Sequence, residues 1–217
     1  MGKSFNGLLA GTRGKVGPVV AQKGVKGYTI VKIKSEPTSK PPKVKQINQR
    51  TKFGLVTSFV GNFKKFTDLG FQDNADELLP FAAAVQYNID NAVTGIAPNY
   101  KIDFPNVKLS KGRLESSNTL QLVMAADGDF TVTWDPADID PAEKAERDLD
   151  KVMLVVYDPL HNRIYYNDVF TRGDYKITST IPRLFAGGPL HAWLMFVSAE
   201  GTKASTSEYI SGFVITA

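Results

Sequence analysis

Phe130-Thr-Val-Thr-Trp134 alternates apolar side chains with threonines, a period of two residues that is typical of a β-strand buried on one face. Six further runs of β-branched, aromatic and other apolar residues follow or precede it, separated by Gly, Pro, Asp and Asn. Seven short strands in about 100 residues predict an antiparallel sandwich. The other predicted strands are Thr119–Met124, Val152–Tyr157, Arg163–Asn167, Tyr175–Ile181, His191–Val197 and Glu208–Thr216.

Before Pro98 the apolar residues repeat with a helical period instead. Between residues 56 and 66 they recur every three or four positions, which predicts one amphipathic helix over Val44–Leu69 that ends at Gly70. A second helix is predicted from Pro80 to Val93, where apolar residues recur every fourth position. Two such helices would pack against each other as a hairpin.

The start of the chain is rich in glycine and lysine. Pro18–Gln22 and Tyr28–Lys34 are predicted to form a β-hairpin with its turn around Lys23–Gly27, and the prolines within Glu36–Pro42 break regular structure. The sequence therefore predicts an α+β fold with an N-terminal β-hairpin and helical pair in residues 1–98. An antiparallel β-sandwich follows in residues 99–217.

Charge is unevenly distributed along the chain. Residues 1–65 contain 14 Lys and Arg against one acid, Glu36, whereas residues 66–217 contain 12 Lys and Arg against 21 Asp and Glu. The first segment therefore has a formal charge of +13 and the remainder −9, behind a total of only +4. This asymmetry predicts an anionic partner for the first segment, and the acidic remainder of the same chain or of a neighbouring copy is one candidate.

Ten cations of the basic segment form the predicted interaction surface. Docking onto an acidic protein surface is the preferred interpretation, and binding of nucleic acid or another anionic surface is the alternative. Nucleic acid ranks second because aromatic residues able to stack on bases are sparse there, namely Phe5, Tyr28 and Phe53. The predicted interaction residues are Arg13, Lys15, Lys23, Lys26, Lys32, Lys34, Lys43, Lys45, Arg50 and Lys52.

Two parts of the C-terminal half resemble a fibronectin type III domain. Phe130-Thr-Val-Thr-Trp-Asp-Pro136 resembles its second strand, where alternating apolar residues end in a buried Trp followed by Pro. His191 to Ser207 resembles its last hairpin. The corner tyrosine usual before the sixth strand is absent from Leu184–Leu190, so the resemblance implies the broader immunoglobulin-like sandwich.

The N-terminal half resembles a family of uncharacterised Bacteroidetes proteins. The shared features are Gly14-Lys-Val-Gly-Pro-Val-Val20, the helix opening Lys40–Phe53 with its Pro-x-x-x-Gln-x-x-x-Arg-x-x-Phe pattern, and Asn91–Tyr100. This resemblance covers most of the chain and implies a domain of unknown function. A looser similarity to phage-encoded structural proteins implies assembly instead of catalysis.

Catalytic motifs are absent from the sequence. Gly11-Thr-Arg-Gly-Lys15 lacks a glycine required of a phosphate-binding loop, and Val16 stands where a metal-binding Ser or Thr is needed. The only histidines, His161 and His191, are predicted in a turn and at a strand end. The chain has no cysteine, which excludes disulfides and thiolate metal sites. We therefore expect no enzymatic activity and no cofactor.

Two other segments invite a functional interpretation. Residues 135–150 contain seven carboxylates, but their spacing does not match a calcium-binding EF-hand loop, so a solvated loop is favoured over a cation site. Arg172-Gly-Asp174 matches an integrin-type tripeptide and is interpreted as an ordinary turn.

The sequence also bears on membrane association. Met1–Ala10 lacks the apolar run of roughly 7–15 residues that an export signal needs, and no stretch approaches the roughly 20 apolar residues of a membrane span. We expect neither an export signal nor a membrane span in this chain, and neither observation indicates a compartment.

These observations predict a non-enzymatic structural or protein-interaction module, self-assembling or phage-derived, whose partner is another protein or a second copy. One alternative is a binder of nucleic acid or anionic surfaces that uses the basic N-terminal arm. The other is a carbohydrate- or cell-surface-binding protein that uses the loops of the sandwich.

Overall fold

The computed structural model describes residues 2–6, 10–24, 27–36, 40–74, 78–117, 119–125, 128–135 and 141–215. Its helices are α1 (Val44–Asn62), α2 (Lys64–Gly70), α3 (Pro80–Asn91) and α4 (Pro141–Arg147). Its strands are β1 (Gly2–Ser4), β2 (Gly14–Val16), β3 (Val19–Lys23), β4 (Thr29–Ile33), β5 (Val93–Ile96), β6 (Asn99–Ile102), β7 (Leu120–Met124), β8 (Asp129–Trp134), β9 (Lys151–Asp158), β10 (Arg163–Asn167), β11 (Lys176–Thr180), β12 (Pro189–Val197) and β13 (Glu208–Val214). The predicted α+β class is confirmed.

The C-terminal strands form two antiparallel sheets. One has the order β11-β8-β7 and the other β10-β9-β12-β13. All seven predicted strands are present, most with ends that differ from the prediction by one or two residues. The period-two pattern was reliable here because each of these strands buries apolar side chains on at least one face.

A first hydrophobic core lies between the two sheets. Phe130, Val132 and Trp134 of β8 face the even-numbered residues of β9 and β12, and all are almost completely buried. The Nε1–H of Trp134 donates a 3.0 Å hydrogen bond to the Arg172 carbonyl, so the polar part of this buried indole is satisfied. The alternation of the sequence thus places one side of each strand in this core.

A second core lies on the opposite face of the four-stranded sheet. Odd-numbered residues of β9 and β12 contact apolar residues of α1, α2 and α3 there. The molecule is therefore layered, with helices, the four-stranded sheet and the three-stranded sheet in that order. Trp193 is an odd-numbered residue of β12 and therefore lies in the second core, since neighbouring positions of a strand face opposite sides. Trp134 of β8 lies in the first core, between the sheets.

The long helix predicted over Val44–Leu69 is interrupted at Phe63, which corrects that prediction. The N–H of Phe63 bonds to the carbonyl of Val60, three residues earlier, at 2.9 Å, and α2 begins at the next residue. The Phe63 ring packs edge-on to Tyr157 and Trp193 at centroid distances of 5.4 and 6.0 Å. The break therefore lies where the helices meet the sheet.

A short hairpin between the helices and the sandwich was missed by the sequence analysis. β5 and β6 pair antiparallel around Pro98, which follows a cis peptide bond. The segment was interpreted as a boundary because the strands have four residues each, too few to show a clear alternation.

α4 lies within the acidic segment predicted to be a loop, and residues 136–140 of that segment are outside the described part.

Candidate interaction surface of the N-terminal sheet

The basic start of the chain folds into a four-stranded antiparallel sheet with the order β1-β4-β3-β2. The predicted hairpin is confirmed as β3 and β4, and β1 and β2 extend it on either side. β2 connects to β3 through Gly17-Pro18, where Gly17 has a φ of +56°. Glycine is favoured at the first central position of such a two-residue turn because that position needs a positive φ.

One face of this sheet is apolar. The strand register places Val16, Val19, Val31 and Ile33 on that face. Val16 and Ile33 are 71% and 79% exposed, whereas Val19 and Val31 are half-buried. Thr29, two residues before Val31 on the same face, is covered by the chain's own loop. It is buried, and its Oγ1 accepts a 2.9 Å hydrogen bond from the N–H of Gly11. The outer part of the apolar face is open to solvent.

The other face combines lysines with aromatic rings. Lys15 lies opposite Val20, which lies opposite Lys32, and Lys3 lies opposite Ile30 in the adjacent row. The rings of Phe5 and Tyr28 lie 5.3 Å apart, and the Lys3 ammonium lies 5.1 Å from the Tyr28 ring centroid. We call this surface the lysine face; its residues are Lys3, Phe5, Lys15, Val20, Gln22, Tyr28, Ile30 and Lys32.

The sheet lies outside both hydrophobic cores of the described residues. Among the described residues, neither hydrophobic core includes a side chain from β1, β2, β3 or β4. These strands pair only with one another in the described part of the chain. A sheet with an apolar face gains stability by burying that face against another element or another chain.

The predicted interaction residues fall into three groups. Lys15 and Lys32 are on the lysine face, and Lys23 shares the apolar face through its register with Thr29. A second group lies at or near the start of α1, where all except the half-buried Lys52 are exposed. Arg13 and Lys34 are exposed beside the strands, and Lys26 lies outside the described residues. The α1 group consists of Lys43, Lys45, Arg50 and Lys52.

The start of α1 explains part of the helix-opening pattern. The Oε1 atom of Gln46 accepts a 2.9 Å hydrogen bond from the backbone N–H of Lys43, the residue that precedes the helix. This is one half of a capping box, which satisfies a backbone donor before the helical bonds begin. Arg50 and Phe53 follow on the same side of the helix, and with Gln46 and Gln49 they line a surface depression of about 340 Å³.

An apolar groove between α1 and α3 was missed by the sequence analysis. It has a volume of about 570 Å³, and Phe53, Phe81, Val85 and Ile89 are among its lining residues. Phe53 is 52% exposed. The position of Phe53 in the predicted helix is the only sequence signal for the groove. That position does not reveal whether a neighbouring helix leaves a groove beside Phe53.

Two other sequence candidates have structural roles. Arg172 of the tripeptide is 95% buried, since its residual exposure is 5%. Burial lowers the pKa of its guanidinium, and the nearby Asp150 carboxylate opposes that shift. The second candidate is the histidines: His161 hydrogen-bonds to Asp158 at 2.6 Å in a turn, while His191 stacks on Phe104.

In the described ranges, His, Asp and Glu side chains form no group of three or more that could hold a metal ion. Within the same ranges, none of the helices is both long enough and apolar enough to cross a membrane.

A family model matches residues 11–211, which extend from just before β2 into β13. The chain belongs to the family of unknown function DUF6266. The prediction that the chain belongs to an uncharacterised family is therefore confirmed. A search of curated proteins finds no match to this DUF6266 chain.

Proposed function

We propose that this DUF6266 protein is a non-enzymatic structural module that self-associates. The apolar face of its N-terminal sheet docks onto the acidic surface of a second copy. Lys23, on that face, and the cations at the start of α1 contribute the complementary charge.

The open apolar face is the observation that supports this proposal most strongly. Val16 and Ile33 lie on either side of the half-buried Val19 in the register, and both are more than 70% exposed. Clustered exposed apolar residues on a sheet are typical of interaction sites. Because the strands belong to neither core, a partner can cover this face without rearranging the rest of the molecule.

The charge distribution favours a second copy as the occupant. The basic segment has a formal charge of +13, and the remainder of the chain has −9. Exposed acids lie near α4, where Glu143 and Glu146 line a cavity of about 310 Å³ together with Glu200. A sheet from one copy that contacts this region of another forms a head-to-tail interface with opposite charges in contact.

The proposal includes finer assignments for the rest of the chain. We place the boundary between an N-terminal region and the sandwich at residues 98 and 99, and we assign the sandwich to the immunoglobulin-like, fibronectin type III-like class. Seven strands in sheets of three and four support that class. The Bacteroidetes origin and the phage-related assembly role rest on the sequence resemblances alone.

Substitution of the apolar face tests the proposal. The double variant Val16→Ser with Ile33→Ser should weaken self-association at least about tenfold, because each lost aliphatic side chain contributes about 1.5–3 kcal/mol when buried. Sedimentation velocity across a concentration series measures the dissociation constant. Val123→Ser is the matched control, since Val123 is 61% exposed on β7 of the sandwich. Equal dissociation constants for the double variant and the parent chain would refute the docking role of this face.

A further inference from the structure

The lysine face has chemistry that the proposed docking does not use. It lies on the side of the sheet opposite Val16 and Ile33, so both faces can be occupied at once. Lys3, Lys15 and Lys32 are all exposed on it. Strands in a sheet are about 4.8 Å apart, so the register places Lys3 and Lys15 each within about 10 Å of Lys32.

These three lysines have no acidic partner in the described part of the chain. Among the described residues, none of the carboxylates lies within ion-pair distance of them, and the nearest acid in sequence to β4 is the single Glu36. Three exposed ammonium groups on one face form a positive surface, which makes the lysine face a favourable site for phosphate groups.

The aromatic rings distinguish the kind of anion. Phe5 is 66% exposed beside the half-buried Tyr28, at the edge of the lysine cluster. Proteins that bind single-stranded nucleic acid combine a positive surface for the backbone with aromatic rings on which bases stack. Nucleic acid ranked second in the sequence because aromatic residues are sparse in the basic segment, but the fold brings two of the three rings, Phe5 and Tyr28, together.

We infer that the lysine face binds single-stranded nucleic acid, with the exposed Phe5 ring stacked on a base and Lys3, Lys15 and Lys32 contacting the phosphates. This inference goes beyond the proposed self-association, and neither depends on the other. The backbone contacts need no particular sequence of bases, so we expect sequence-tolerant binding that weakens as the salt concentration rises.

Fluorescence anisotropy with labelled oligonucleotides tests the inference on the full chain. The probes are oligothymidylate and oligouridylate of about 15 nucleotides, which distinguish DNA from RNA, in about 0.05 M salt. Phe5→Leu keeps an apolar side chain and should weaken binding about tenfold through loss of stacking. The pair Lys15→Gln with Lys32→Gln should reduce the slope of log affinity against log salt by about 1.4.

A lysine outside the N-terminal sheet supplies the matched control. Lys101→Gln removes one exposed lysine from β6 and should leave both oligonucleotide affinities within about twofold of the parent. Far-ultraviolet circular dichroism of each variant confirms that the sheet is retained. Absence of binding to both oligonucleotides would overturn the inference. Equal affinities of the parent and Phe5→Leu, or a Lys101→Gln loss as large as that of either lysine-face variant, would also overturn it.

Vesicles that contain about 30% phosphatidylserine separate the phosphate chemistry of nucleic acid from that of lipid. We expect the full chain to bind the oligonucleotides with higher affinity than the vesicles. Preferential binding to vesicles, with Phe5→Leu unchanged, would contradict the nucleic-acid assignment.

Discussion

Arg172 shows how a single residue can have a role that its motif does not indicate. Its guanidinium donates hydrogen bonds to the carbonyls of Glu115 and Ser116 at 2.9 and 3.2 Å. The same group lies 4.4 Å from the ring centroid of Phe196, and the Arg172 carbonyl accepts the indole N–H of Trp134. A side chain with these buried contacts is not available to a receptor, which agrees with the interpretation of Arg172-Gly-Asp174 as a turn.

His191 provides a pH-dependent prediction at the residue scale. Its ring stacks on Phe104 at 3.9 Å and shares a 2.8 Å hydrogen bond with the Tyr209 hydroxyl. Burial holds the pKa of His191 below its ordinary value of about 6.5. As the pH falls, the unfolded chain therefore binds this proton before the folded chain does, and the folded state loses stability below about pH 6.5.

Urea unfolding at about pH 7.5, 6.5 and 5.5 measures this effect. The parent chain should lose free energy of unfolding below about pH 6.5, at up to about 1.4 kcal/mol per pH unit. His191→Gln should lose less over the same range, because the buried group no longer titrates. His161→Gln serves as the control and should keep the loss due to His191. An identical pH dependence in the parent and His191→Gln would contradict the prediction.

At the scale of elements, β9 and β12 unite the two halves of the chain. Their even-numbered side chains face the three-stranded sheet and their odd-numbered side chains face the helices. From the second residue of β9 onward every residue of the strand is buried. Continuous apolar runs such as Val152–Tyr157 are typical of strands covered on both faces. Here the helical layer covers one face of β9 and the three-stranded sheet covers the other.

The contribution of the α1–α2 junction to the helical core can be measured by substitution. Phe63, between the two helices, is completely buried against the sheet, so Phe63→Ala should reduce the free energy of unfolding by about 3–5 kcal/mol. Phe53→Ala, within α1 and 52% exposed, should cost less than about 1 kcal/mol. Urea unfolding at neutral pH compares them. Similar losses in both variants would mean that the two positions do not differ in burial as described.

At the scale of the whole molecule, the sequence predicted the elements better than their arrangement. The strands from Thr119 onward follow from alternation or from short continuous apolar runs, and the helices from a stripe of apolar residues, because these signals are local. That His191 and Trp193 of β12 lie on the side of the sheet that carries the helices depends on the helices packed against that sheet. The sequence patterns of the separate elements do not specify that packing.

The candidate surface shows the same limit. The charge asymmetry identified the basic segment, but the register of β2, β3 and β4 determines that Lys15 and Lys32 are on the face opposite Val16 and Ile33. The basic start of the chain was treated as an N-terminal arm in the nucleic-acid alternative. It contributes β1 and β2 to the sheet instead, so the whole sheet is the unit to remove when its role is tested.

Removal of the N-terminal sheet is the most direct test of the proposed self-association. The parent chain and a chain that begins at Lys40 are compared by light scattering at about 0.05 and 0.5 M salt, with circular dichroism as a check that the shorter chain is folded. We expect the parent to exceed its monomer mass of 23.8 kDa at low salt and to approach it at high salt, while the shorter chain stays monomeric. A parent chain that is monomeric at both salt concentrations, or a shorter chain that associates as strongly as the parent, would contradict the account.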